Sequence, residues 1–289
     1  MTLVMVAFNA RWTHSSLALR YLRDAAERGL ARLPELSPWR RAHVVLKEYD
    51  INGRPADMAR ELAILKPDAL GLSVYLWNAE LAARIAADLK ALLPQCLVFA
   101  GGPEASYNER WTGPESPVDL VVRGPGEAVM ESLAANGFAL PGARMPDGGN
   151  GSISVPGPVM LEDWSMDFCA IPFPYRDHDW DDLRRRYLYL ETSRGCPFSC
   201  SYCLSSRGEQ KLAMLSVDQV MERLKAVVDN GPYLVKFVDR TFNADPARAR
   251  EIWRRIILAW ADLGTRFHCE VHPALLEEDD YRVLTAAPE

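Results

Sequence analysis

Short, uninterrupted apolar runs alternate with segments of helical period along most of this 289-residue chain, and that rhythm restricts the fold more than any other feature. The first half opens with a strand pattern at 3–8, passes through a helical stretch near 16–28, and returns to a strand pattern at 43–49. A helix over 56–65, a strand over 69–75, and a helix opened by Asn78 follow, with Leu81, Ile85 and Leu89 on one helix face and Pro94 closing it. Strand patterns at 97–100 and 118–122 bring the number to five. Strands that are apolar on both faces belong in a parallel sheet covered by helices, so residues 1–140 are predicted to form a Rossmann-like domain with a five-stranded parallel sheet.

The rhythm then breaks. Gly, Pro, Ser and Asp dominate from Pro141 to about Pro174 with no apolar period, and 141–185 is read as a linker or a loop laid over the surface. Alternation resumes at 186–289 with strand patterns at 187–191, 234–238 and 266–271. The helix between the first two is capped by Ser216 with Gln219 in capping-box register, and its buried stripe runs from Val217 through Val220, Leu224 and Val228. Asp245-Pro246 starts the next helix, Gly264 ends it, and a short helix follows Pro273. Three β/α units result.

Composition excludes several classes. A hydrophobic fraction of 48% suits ordinary globular cores, and the longest apolar stretch, around 69–77, is far short of the ~20 residues that cross a bilayer. The formal charge is −6 and the 33 basic residues are scattered, the densest run being Arg184, Arg185 and Arg186, so no footprint for nucleic acid is present. The N-terminus lacks a basic stretch ahead of its strand, and the chain is read as cytoplasmic with no membrane partner.

Six cysteines would be a disulfide framework only if spread in pairs, whereas three of these lie within eight residues. They stand in Glu191-Thr-Ser-Arg-Gly-Cys196-Pro-Phe-Ser-Cys200-Ser-Tyr-Cys203, a C-x3-C-x2-C loop directly after a strand pattern. Three thiolates can hold three irons of a [4Fe–4S] cube and leave the fourth iron open to a small chelating molecule. Structural zinc is the competing reading and needs a fourth ligand, for which Cys169 or His178 would have to be recruited. An ordinary electron carrier would need a fourth cysteine nearby, which this loop lacks.

The spacing, with an aromatic residue before the last cysteine, resembles the radical S-adenosylmethionine (SAM) superfamily. That resemblance implies a partial (β/α) radical SAM barrel in which Cys196, Cys200 and Cys203 bind the cluster, the open iron takes SAM, and reductive cleavage gives methionine and a 5′-deoxyadenosyl radical. It places Tyr202 beside the adenine, Asp239 and Asn243 of the Asp239-Arg-Thr-Phe-Asn243 run at the SAM amino group and substrate, and Glu270 at the ribose or methionine part. For each carboxylate the plain alternative is a strand-end side chain capping the following loop. Cys269 is read as packing.

Elements of the first half resemble cobalamin-binding domains: Ser73 on the third strand, Gly101-Gly102-Pro103 after the fourth, and Gly124-Pro-Gly126-Glu127 after the fifth. Ser73, Gly101, Gly102, Gly124 and Glu127 are therefore expected at a corrin, with the small residues giving its nucleotide tail close approach to the backbone. His14 stands where relatives with a histidine lower ligand carry D-x-H-x-x-G, but the chain reads Asn9-Ala-Arg-Trp-Thr-His14-Ser-Ser; His14 is either a cobalt ligand or a hydrogen-bonded surface residue. The whole resembles a poorly characterised subfamily of B12-binding-domain radical SAM proteins. The expected activity is cobalamin-dependent methylation or rearrangement of an unknown substrate, fed by an external flavodoxin- or ferredoxin-type donor. The rival is a non-catalytic corrin-binding or electron-transfer module. Because radical SAM barrels usually have six β/α units and three are present, the chain is expected to be a fragment of a longer protein or to need a partner, with its last strand near Phe267 an open edge.

Overall fold

The computed structural model describes residues 1–140, 157–163, 165, 167–204 and 211–287, and divides into two compact units. The first comprises Met1–Trp12 and Ala18–Met166, the second Thr13–Leu17 and Asp167–Glu289.

In the first unit, β1 (Thr2–Asn9), α1 (Leu17–Leu30), β2 (His43–Asp50), α2 (Pro55–Ile64), β3 (Ala69–Ser73) and α3 (Ala79–Leu92) alternate as the apolar pattern predicts. They are followed by β4 (Leu97–Gly101), the short α4 (Pro103–Tyr107) and α5 (Glu109–Thr112), β5 (Leu120–Arg123), α6 (Glu127–Ala135) and β6 (Val159–Glu162). All strand pairs are parallel and the order is β2-β1-β3-β4-β5-β6. Alternate residues of the same strands feed two separate cores. Val4, Val6, Phe8, Leu70, Leu72 and Val98 pack with Met58, Leu62, Ile85 and Leu89 of α2 and α3, whereas Leu3, Met5, Ala7, Phe99 and Leu120 pack with Leu19, Ala25, Met130 and Leu133 of α1 and α6. Helices thus cover both faces, which is why these strands read as continuous apolar runs.

A sixth strand joins the predicted five. β6 lies inside the stretch read as linker, pairs with β5 from Leu120↔Val159 to Arg123↔Glu162, and packs Val159 and Leu161 against the α1/α6 core. Four residues with alternating burial at a sheet edge, just after Gly157 and Pro158, are too few to show a period in the sequence. No described helix is long and apolar enough to cross a membrane.

The second unit holds the short α7 (Asp179–Leu183), then β7 (Leu188–Leu190), β8 (Ser193–Arg194), β9 (Ala213–Met214), α8 (Val217–Val228), β10 (Leu234–Phe237), α9 (Pro246–Trp260), β11 (Arg266–His268) and α10 (Glu278–Leu284). β7, β10 and β11 form a parallel sheet in the order β11-β10-β7, giving the three expected β/α units. Leu188, Leu190, Val235 and Phe237 are buried, as are Val220, Leu224 and Val227 of α8 and Ala249, Ile252 and Trp253 of α9. Local signals operate as read: Ser216 and Gln219 form a reciprocal capping box, and Asp245 accepts from the Arg248 N–H at the start of α9.

Candidate functional site

The three cysteines leave β7 through β8, two residues that pair antiparallel with β9 (Ser193↔Met214, Arg194↔Ala213). Gly195 follows with φ +93°, and a Cβ there would stand 3.0 Å from the Lys211 carbonyl oxygen, so glycine is required immediately before Cys196. Glu191 and Arg194 close the neck of the loop with a two-pronged ion pair, Nε to Oε1 at 2.9 Å and Nη2 to Oε2 at 2.7 Å, both side chains largely buried. Cys196 and Cys203 are partly buried and Cys200 is exposed, with the Cys203 N–H donating to the Cys200 carbonyl at 3.1 Å; none of the three is in a disulfide.

Asp239, at the carboxyl end of β10, is 1% exposed. It accepts from the backbone N–H of Thr192 at 3.0 Å, from the Thr192 hydroxyl at 2.6 Å and from the Ser193 hydroxyl. Arg248 holds the same residue through its carbonyl, donating to the Thr192 carbonyl at 2.9 Å and to the Leu215 carbonyl at 2.8 Å. Burial pushes the Asp239 carboxyl above the ordinary carboxylate range, while the bonds from Ser193 and Thr192 and the charge of Arg248 pull the other way. Burial likewise lowers the Arg248 guanidinium, with Asp239 opposing. The pair therefore braces the two residues that lead into the cysteine loop, and both Asp239 oxygens are already engaged there.

The other strand-end residues separate into structural and open ones. Asn243 is 1% exposed and joins the loops after β10 and β11, donating to the His272 carbonyl at 3.0 Å and accepting from the His272 N–H at 2.8 Å. His272 in turn stacks on Phe198 of the cysteine loop, ring centroids 4.3 Å apart. Glu270 takes the Phe242 N–H on its carbonyl at 2.9 Å and leaves its carboxylate exposed, and Tyr202 is 88% exposed. Thr241, absent from the sequence expectations, puts its hydroxyl 3.5 Å from the Cys196 sulfur. Nothing in the sequence singles it out, because a threonine in a turn is ordinary.

The donor set suits a thiolate-ligated iron cluster: three unbridged thiols on one braced loop, with a hydroxyl aimed at the first. Among the described residues no three His, Cys, Asp or Glu side chains are gathered closely enough to hold an ion. Cys169, the fourth thiol considered for zinc, donates to the Met214 carbonyl at 3.4 Å.

In the first unit, register places Ala7, Ser73, Gly101 and Val122 side by side at the carboxyl edge of the sheet. The strand order reverses between β1 and β3, the position at which open α/β sheets take ligands. Gly102 has φ +109° and ψ 171°, and a Cβ there would sit 2.5 Å from the Val74 carbonyl oxygen. Gly124 follows β5 with φ +70°, and Glu127 is buried at the first turn of α6. Asn78 behaves differently from its sequence reading: α3 does start after it, but its side chain makes no cap. Instead its amide donates to the Phe8 and Ser73 carbonyls at 3.0 and 3.1 Å and accepts from the Tyr75 N–H at 2.8 Å, tying β1 to β3 at the switch point. His14 belongs to the other unit, where its Nδ1 is hydrogen-bonded with the Tyr189 hydroxyl and its ring stacks on Tyr189 and meets Tyr187 edge-on.

Comparison with known proteins agrees with this two-part arrangement. Residues 4–134 match the B12 binding domain family and residues 190–288 the Radical SAM superfamily. A hopanoid C-3 methylase of Methylococcus capsulatus is 29% identical over 198 residues, 62% of this chain and 36% of that protein. The cobalamin-dependent radical SAM methyltransferase TokK of Streptomyces tokunonensis is 32% identical over 156 residues, 48% of this chain and 22% of that protein. In fold the chain is similar to the radical SAM methyltransferase TsrM of Kitasatospora setae, solved with cobalamin and a [4Fe–4S] cluster, at a TM-score of 0.66 and 16% identity over 99% of this chain and 59% of the other. The chain spans less than half the length of these curated relatives. With the two matches following one another along one polypeptide, the chain belongs to the radical SAM proteins that carry a B12-binding domain ahead of the radical SAM domain.

Proposed function

We propose that this chain is the cofactor-binding part of a cobalamin-dependent radical SAM enzyme acting on an unactivated carbon, most simply by methylation. The observation that carries the reading is the Cys196–Cys200–Cys203 loop, braced by Asp239 and Arg248 at the carboxyl end of a β/α sheet and preceded by a doubly wound domain with a glycine-lined edge. When bound, the cluster and a methylated corrin would supply reductive cleavage of SAM and a methyl group, chemistry that no side chain provides.

The residues then have distinct tasks. Cys196, Cys200 and Cys203 hold iron; Tyr202 and the exposed carboxylate of Glu270 meet SAM; Asn243 holds the loops after β10 and β11 together, and Asp239 sets the base of the cysteine loop. Ser73, Gly101, Gly102, Gly124 and Glu127 receive the corrin, and we assign His14 to Tyr189 rather than to cobalt. The corrin domain is taken as 1–140 and the cluster domain as 186–289, with β6 of the intervening stretch added to the first sheet. Electrons come from an external flavodoxin- or ferredoxin-type protein.

Anaerobic reconstitution with iron and sulfide, followed by reduction and assay of SAM for conversion to 5′-deoxyadenosine, tests the reading. Iron binding with cleavage is expected; the triple variant Cys196→Ala/Cys200→Ala/Cys203→Ala retaining its iron and brown colour would refute it.

A further inference from the structure

The Cys196 sulfur lies 3.5 Å from the hydroxyl oxygen of Thr241. As a free thiol the cysteine could be either donor or acceptor. Once the sulfur binds iron it has no proton, and the only hydrogen the pair can share is that of Thr241. The hydroxyl is held in place. Thr241 is 6% exposed and lies between Asp239, bound to Thr192 and Ser193, and Phe242, whose N–H donates to the Glu270 carbonyl. The Phe242 ring packs on Phe237 and Trp253 at centroid distances of 4.8 and 5.7 Å, so the turn is fixed on both sides of the threonine.

Resting on the cluster reading above, we propose that Thr241 is a positioning residue that donates an O–H···S hydrogen bond to the iron-bound sulfur of Cys196 and raises the reduction potential of the cluster. The physical reason is charge. Reduction adds an electron whose density is shared with the thiolate ligands, and a donor on one of them stabilises the more negative state more than the less negative one. Burial strengthens the effect, because water competes less for the hydroxyl of a residue that is 6% exposed.

The test is the midpoint potential of the full chain, reconstituted anaerobically without SAM and followed by EPR during redox titration. Thr241→Val, which keeps the branched shape, should hold the same iron per chain with its midpoint moved to a more negative potential, and Thr241→Ser should return it to the wild-type value. A valine variant with wild-type iron content and an unmoved midpoint overturns the proposal. Should the valine variant not hold iron, Thr241→Ala is titrated in its place with the same two outcomes. Failure of the cluster reading itself is distinguishable, since the wild-type chain would then bind no iron.

Discussion

The carboxylate of Asp239 binds Thr192 twice, accepting from its backbone N–H at 3.0 Å and from its hydroxyl at 2.6 Å, across 47 positions of sequence. This clamp joins the end of β10 to the residue from which the cysteine loop departs, so a change at Asp239 should be felt at the metal. Asp239→Ala leaves a buried N–H and two hydroxyls without their acceptor, at a cost of about 1–3 kcal/mol for each unsatisfied group. The expected result is a several-fold fall in iron bound per chain after reconstitution, with Asp239→Asn intermediate because its amide keeps one acceptor oxygen. Full iron content in the alanine variant would show that the clamp does not position the loop.

Gly102 occupies a backbone region open essentially to glycine alone, with φ +109° and ψ 171°. Gly102→Ala has to absorb backbone strain of about 1–3 kcal/mol and a Cβ placed against the Val74 carbonyl. Purified from B12-supplemented cells, this variant should lose the corrin absorption bands while its reconstituted iron content stays at the wild-type level.

Asn78 makes three hydrogen bonds at the switch point while 2% exposed. Asn78→Ala removes all three, although the Phe8 carbonyl keeps the Trp77 indole N–H at 3.3 Å. A loss of about 3 kcal/mol is expected on the scale of such groups, read as a lower urea midpoint for the first unit. Asn78→Asp, which keeps the acceptor but not the donor, should lie between the two.

His14 and Tyr189 offer a spectroscopic test. With Nδ1 of His14 hydrogen-bonded with the Tyr189 hydroxyl and the ring stacked on the same tyrosine, the cob(II)alamin EPR signal of the holoprotein should be the same in wild type and His14→Ala. Loss of a nitrogen splitting in the variant would place the imidazole on cobalt.

Burial pushes the thiol of Cys96 up to about 11, against an ordinary value of 9.0. The folded pKa is raised, so this group's contribution is fully present below pH 9 and is lost as pH climbs through 11, because the unfolded chain ionises first. Urea midpoints should therefore decline more steeply for wild type than for Cys96→Ala between pH 9 and pH 11. Parallel curves would mean that the thiol is free to ionise in the folded state.

By itself the sequence determined what depends on near neighbours and on repeating pattern. Continuous apolar strands such as Leu3–Phe8 could satisfy both faces only under two helix layers, Ser216 and Gln219 carried their own capping box, and the three cysteines advertised a metal loop because thiolate spacing is local. The tertiary structure decided whatever joins distant segments. It added β6 to the sheet through partners that four residues cannot signal, turned Asn78 from a helix cap into a tie between β1 and β3, and engaged both oxygens of Asp239 at Thr192 and Ser193. It also brought Thr241 to Cys196 across 45 positions. A side chain's chemical type is written in the sequence, but its partner is chosen by packing, and hydrogen bonds reach only about 3 Å.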